Sequence, residues 1–150
     1  MADVVSPQKR SEMMSGIRGK NTRPELLIRS LLHRAGYRYR LHVKTLPGKP
    51  DIVLPKYKAV ILVHGCFWHG HDCSLFKWPQ SRVDFWKSKI LTNKVNDARA
   101  QTALTEAGWR ILVIWECALK GKARITNEDI LGRISLWLEE SLEDVEIRGA

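Results

Sequence analysis

Long hydrophobic runs are missing from this chain: no stretch of its 150 residues approaches the ~20 apolar positions that a membrane helix needs. The opening segment MADVVSPQKR also lacks the apolar core of a secretory signal, so a cytoplasmic protein is expected, with no membrane among its partners. Cysteine is scarce, and the three present, Cys66, Cys73 and Cys117, are an odd number for a reducing compartment. That count argues against a disulfide framework and leaves metal ligation or buried thiols. Acidic residues are few beside basic ones: 16 Asp and Glu stand against 25 Lys and Arg, a formal net charge of +9. Such an excess attracts polyanions at long range, nucleic acid above all, although many soluble proteins are basic without binding any. Repeats, low-complexity tracts and internal linkers are absent as well.

What is present fills one domain. A hydrophobic content of 44% suffices for a single core over residues 21–150, preceded by a basic, glycine-containing arm at 1–20. Thr22, Pro24 and Glu25 form a helix start, and Leu27, Leu31 and Ala35 recur at helical spacing until Gly36. Residues 37–43 alternate basic with apolar or aromatic side chains, as a strand with one wet face does, and LPGKP follows as a loop. The runs 51–54 and 58–64, joined by Pro55-Lys56-Tyr57, read as a hairpin whose second strand, apolar on both faces, is central. Residues 84–107 read as helical with Gly108 capping, 109–115 as a buried strand and 127–142 as an amphipathic helix. The last few residues are expected to fray. This order predicts an α/β fold, a mixed sheet flanked by helices.

Two constellations carry chemistry. In the run Cys66-Phe67-Trp68-His69-Gly70-His71-Asp72-Cys73, a Cys-x4-His-x-Cys cluster gains a fourth soft ligand from Cys117 just past a strand end. Four such ligands suit tetrahedral Zn²⁺ in a closed, structural site. His69 is a spare histidine that can stand in for His71, although alternation along the loop sets the two rings on different sides. The blander reading is three buried thiols with unrelated histidines. The second constellation is Pro50-Asp51 at one strand start and His64 at the end of the next. A carboxylate there, completed by the backbone carbonyl of Val63, offers oxygen to Mg²⁺, whereas a Pro-Asp dipeptide alone is a common turn. Glu25 also fits a capping box with Thr22, and Asp97 fits a solvated helix face.

Taken in order, GKNTRPE, LPGKPDIVL, VHGCFWHGHDC, FWKSKI and GWRILVIWECAL resemble the very-short-patch repair (Vsr) mismatch endonucleases over residues 18 to 120, and HGCFWH with a later WEC is highly specific. The resemblance implies a restriction-endonuclease-like fold with a structural zinc, and Mg²⁺-dependent nicking of one strand 5′ to the thymine of a T:G mismatch, the lesion left when 5-methylcytosine deaminates. By position it implies that Asp51 ligates Mg²⁺ directly and Val63, where threonine is common, does so through its carbonyl. His69 would be the general base and His64 would assist at the phosphate, tasks suited to a group titrating near working pH. Glu25 would hold water in the outer shell of the cation, joined by Asp97. Cys66, His71, Cys73 and Cys117 match the zinc ligands. Phe67, Trp68 and Trp86 match aromatics that wedge between base pairs, an insertion that costs less where pairing is already weak. The arm, with Met14, Arg18 and Lys20 beside Lys9 and Arg10, would grip the duplex from the other side.

Two other readings explain part of the sequence. A zinc-stabilised DNA-binding module without catalysis accounts for charge, aromatics and zinc but leaves Asp51 idle. A restriction enzyme cutting matched duplex needs a symmetric dimer for a palindrome, and no dimer interface is advertised, so a monomer is expected. The implied partner is duplex DNA carrying a T:G mismatch, with general mismatch-repair proteins as cooperating factors.

Overall fold

A computed structural model describes residues 22–150, so the expected grip of the arm through Met14, Arg18 and Lys20 lies outside the described residues. Helix α1 (Arg23–Arg34) begins where Thr22 accepts a hydrogen bond from the Glu25 amide, with Pro24 in the first turn. It ends at Gly36, whose φ of +85° takes the chain out of the helical region. Strands β1 (Arg40–Leu41), β2 (Ile52–Leu54) and β3 (Ala59–His64) follow, then the long helix α2 (Val83–Glu106), β4 (Arg110–Trp115), α3 (Asn127–Glu140) and β5 (Val145–Ile147).

The five strands form one mixed sheet in chain order. β1, β2 and β3 pair antiparallel, and β3, β4 and β5 pair parallel. Parallel neighbours require crossovers, which α2 and α3 supply. The expected hairpin is β2–β3, turned by a short 3-10 segment at Pro55–Tyr57, and β3 is the central strand. Alternate residues of β2, β3 and β4 face opposite layers. Ile52, Leu54, Ile61, Leu112 and Ile114 pack with Ile28 and Leu32 of α1 and with Ile130, Ile134 and Trp137 of α3. Val53, Val60, Leu62, Ile111 and Val113 pack on the other side with Leu104 of α2. Burial on both faces is why AVILV and ILVI read as unbroken apolar runs.

The sheet corrects one expectation. The tail does not fray: residues 145–147 add β5 beside β4, with Leu112 opposite Val145 and Ile114 opposite Ile147. Arg148 then donates to the Asp72 carboxylate at 2.8 Å, and the Gly149 amide donates to Cys117 Sγ at 3.3 Å. The segment expected as a strand over 37–43 is a strand only at Arg40 and Leu41, and it is interrupted at His42, whose φ is +48°. No helix among the described residues is long and apolar enough to cross a membrane.

Candidate active site

One end of the sheet's inner strands gathers the chemistry. Asp51 immediately precedes β2, His64 ends β3, and Trp115 lies opposite His64 at the end of β4, so three chain segments converge there. Between β3 and α2 the loop from Gly65 folds back over this end. The Cys66 amide donates to Glu116 Oε1 at 3.1 Å, and the His71 amide to the Cys66 carbonyl at 2.9 Å. Gly70 lies at φ +64°, and a Cβ there would meet Ile90 Cγ2 at 2.6 Å. Glycine is therefore what lets the loop lie flat on α2.

Cys66, His71, Cys73 and Cys117 meet with their ligand atoms all within 4.8 Å of one another. His71 Nδ1 lies 3.5 Å from Cys66 Sγ and 3.6 Å from Cys117 Sγ. Those lengths match the edge of about 3.6 Å between sulfur and nitrogen in a tetrahedral zinc site. Burial pushes the Cys66 and Cys117 thiols above their ordinary range, so thiolates there require a cation. The cluster has the donor set and spacing to hold a metal ion. His71 stacks on Trp115 at 3.9 Å, while His69 turns the other way, as alternation along the loop requires.

His69 instead lies parallel to His64, ring centroids 3.9 Å apart, and its Nδ1 bonds Asp97 Oδ2 at 2.5 Å. Asp97 is thus not simply a solvated helix face; α2 delivers it to a histidine. His64 is buried, and desolvation with the nearby His69 lowers its pKa to about 3, so the ring is neutral at pH 7. Its Nδ1 has no hydrogen-bond partner among the described residues.

Asp51 accepts from the Val63 amide through Oδ2 at 2.9 Å. Burial outweighs that bond, and with the charge of Glu25 it raises the Asp51 pKa to about 6. Glu25 is 1% exposed, its carboxylate turned to Arg29 and to His42 Nε2, the latter at 2.9 Å. Asp51, Val63, His64, His69 and Asp97 line one cleft of about 390 Å³, whose far wall is Phe67 and Trp68. Those two rings meet at 5.1 Å, and Trp86 packs against them at 5.3 and 5.7 Å. Asn93 fixes the wall by donating to the Trp68 carbonyl at 2.7 Å.

Most of the expected site residues within the described chain come together in two adjoining groups, the four-ligand cluster and the cleft, while Glu25 beside Asp51 and Trp86 against Trp68 stand outside the cleft lining. Sequence reasoning passed over His42, Glu116 and Arg148. His42 was hidden in a stretch that reads as an ordinary strand, and Arg148 in a tail without periodicity. Glu116 carried a signal, its place beside Cys117.

A family model described as DNA mismatch endonuclease Vsr matches residues 2–75. A type II nicking enzyme of Xanthomonas oryzae pv. oryzae is 50% identical over 131 residues, which is 85% of this chain and 96% of the relative. The DNA mismatch endonuclease Vsr of Escherichia coli is 44% identical over 138 residues, 92% of this chain and 88% of its own. A type II nicking enzyme of Neisseria meningitidis serogroup A is 47% identical over 123 residues, 82% of this chain and 88% of the relative. Identity at this level over most of both chains places the chain in the Vsr family of DNA mismatch endonucleases.

Proposed function

We propose that the chain nicks one strand of duplex DNA on the 5′ side of the thymine in a T:G mismatch, using Mg²⁺ in the cleft and Zn²⁺ in the cysteine–histidine cluster. The observation that carries this reading is the adjacency of Trp68 and His69. One faces the cleft as part of an aromatic wall, and the next carries the Asp97-bound imidazole beside Asp51. A mismatched step is easier to open, so a wall of rings that inserts there selects the lesion and brings the neighbouring phosphate to His69. A mixed sheet with an acid before one strand and the cleft at one end of its inner strands also supports a restriction-endonuclease-like core.

Asp51 and the carbonyl of Val63 are the oxygen donors suited to Mg²⁺, with Glu25 and Asp97 ordering water around it. Mg²⁺ there would supply positive charge to the phosphate and the departing oxygen. Asp97 accepts from His69 Nδ1–H, which leaves Nε2 unprotonated to take a proton from the attacking water. The water oxygen bonds to phosphorus as a phosphodiester P–O bond breaks, and the departing oxygen takes a proton from solvent. His64, kept neutral by burial, donates a hydrogen bond to the phosphate instead of a charge.

The test is to incubate the protein and Mg²⁺ with duplexes carrying one T:G mismatch in several flanking contexts, beside matched T:A and C:G controls, and to map any nick. A single nick 5′ to the mismatched thymine, lost without Mg²⁺ and restored by its return, is expected. Cutting of both strands of matched duplex, or binding with no nick, would overturn the reading.

A further inference from the structure

We propose that His42 is a protein ligand of the catalytic cation and that the site takes Mn²⁺ in preference to Mg²⁺: with Mn²⁺ bound, Glu25 is a direct donor beside Asp51 and His42, instead of ordering water as it does around Mg²⁺ in the reading above. The inference rests on the assignment of Asp51 to the cation made above.

The backbone puts His42 there. Arg40 lies opposite Val53 and Leu41 opposite Ile52, so His42 is the next residue out, opposite Asp51. Its amide donates to the Asp51 carbonyl at 3.1 Å. At this point the chain turns into the left-handed region, φ +48°, a conformation that a β-carbon disfavours and that surrounding structure must enforce. The result is an imidazole aimed at the carboxylate pair. His42 Nε2, the Glu25 carboxylate and the Asp51 carboxylate offer one donor atom each within 4.8 Å of one another.

The spacing fits a cation. Donors about 2.1 Å from an octahedral ion stand about 3.0 Å apart when adjacent and about 4.2 Å apart when opposite. His42 Nε2 and Glu25 Oε2 are 2.9 Å apart, the length of such an edge. Glu25 is almost wholly buried, its carboxylate shared between Arg29 and His42. Asp51 stands beside it, and a divalent ion among the three donors offsets the charge of two neighbouring carboxylates. The imidazole decides which ion. Mg²⁺ takes oxygen and keeps its waters, whereas Mn²⁺ accepts octahedral oxygen together with imidazole nitrogen.

The experiment uses the zinc-loaded full chain titrated with Mn²⁺, with free Mn²⁺ counted by electron paramagnetic resonance and the bound ion examined by electron spin echo modulation. One Mn²⁺ should bind in the cleft more tightly than Mg²⁺, with a ¹⁴N modulation that becomes the ¹⁵N pattern in histidine-labelled protein. His42→Gln should abolish that nitrogen signal and weaken Mn²⁺ binding by about tenfold or more, with a smaller effect on Mg²⁺. A wild-type spectrum without nitrogen coupling overturns the inference whatever the variant does, and so does coupling that survives in a folded His42→Gln protein. The Asp51→Ala variant separates the two levels of the argument. Mn²⁺ binding unaffected by it overturns the cation assignment of Asp51 itself, whereas binding lost in Asp51→Ala but free of nitrogen overturns the role of His42 alone.

Discussion

Asp97 and His69 make the sharpest contrast at the residue scale, because a residue that reads as helix surface holds a histidine in one tautomer. Asp97→Asn keeps the shape but removes the charge that favours proton uptake at Nε2, and its amide can also donate and invert the tautomer. The single-turnover nicking rate should fall by about 10²-fold or more, with duplex affinity unchanged. An unaltered rate would take Asp97 out of the reaction. Asp51 gives a second prediction through pH. Its carboxyl is raised from 3.8 to about 6 in the folded chain, so folding favours the protonated form. That stabilisation is complete below about pH 4 and is lost as pH rises through about 6, a change of about 3 kcal/mol. Without added divalent cation, Asp51→Asn should therefore gain on the wild type in thermal melts as pH rises over this window, and added Mg²⁺ should close the gap. The opposite drift from His64, neutral when folded and charged when unfolded, is common to both proteins and cancels in the comparison. A difference that stays flat with pH would show that Asp51 is not desolvated.

Among the elements, Arg110 at the start of β4 holds the end of α3. Its guanidinium donates to the Trp137 carbonyl at 3.0 Å, the Leu138 carbonyl at 3.3 Å and the Ser141 carbonyl, and to the Tyr57 carbonyl at 2.9 Å. The Trp137 carbonyl also accepts from the Ser141 amide at 3.2 Å, and a fork of donors meets several carbonyls of this helix end at once. Arg110→Ala should cost about 2 kcal/mol in urea unfolding, and Arg110→Lys should recover little, since an ammonium cannot span both segments. The elements also show what was legible in the sequence. α1 and α3 were readable because their apolar period matches the layer they bury, β3 and β4 because they are apolar on both faces, and the hairpin turn from its proline. β5 was not, since Val145 and Glu146 are exposed and only Ile147 reaches the core. The cysteine–histidine cluster was readable from spacing, because ligand chemistry leaves few alternatives. His42 was not: its role depends on a left-handed turn and on a strand register that no local pattern encodes. For the cluster itself, metal analysis should find about one Zn²⁺ per chain. Its removal should speed hydrogen exchange in 65–79 while the β3 and β4 amides stay protected. Loss of protection throughout would make the cluster a folding nucleus instead of a loop staple.

For the whole molecule, a formal net charge of +9 sets how binding responds to salt. Residues 1–20 hold four of the cations, Lys9, Arg10, Arg18 and Lys20. If each neutralises one phosphate, removing the segment should make the slope of log K against log salt shallower by about 3 to 4. An unchanged slope would leave the segment off the duplex. The cleft and the aromatic wall belong to the remaining 22–150 body, and they differ in kind: one handles a phosphate, the other a base step. They are nonetheless separated by a single peptide bond, between Trp68 and His69, on a loop whose Cys66, His71 and Cys73 meet Cys117, two residues past the end of β4. Under the proposed reading the molecule works as a fixed gauge. It cannot slide its incision relative to the step it opens, so the register between lesion and nick is set by covalent geometry, and a substrate with altered backbone spacing goes uncut instead of being cut one nucleotide away.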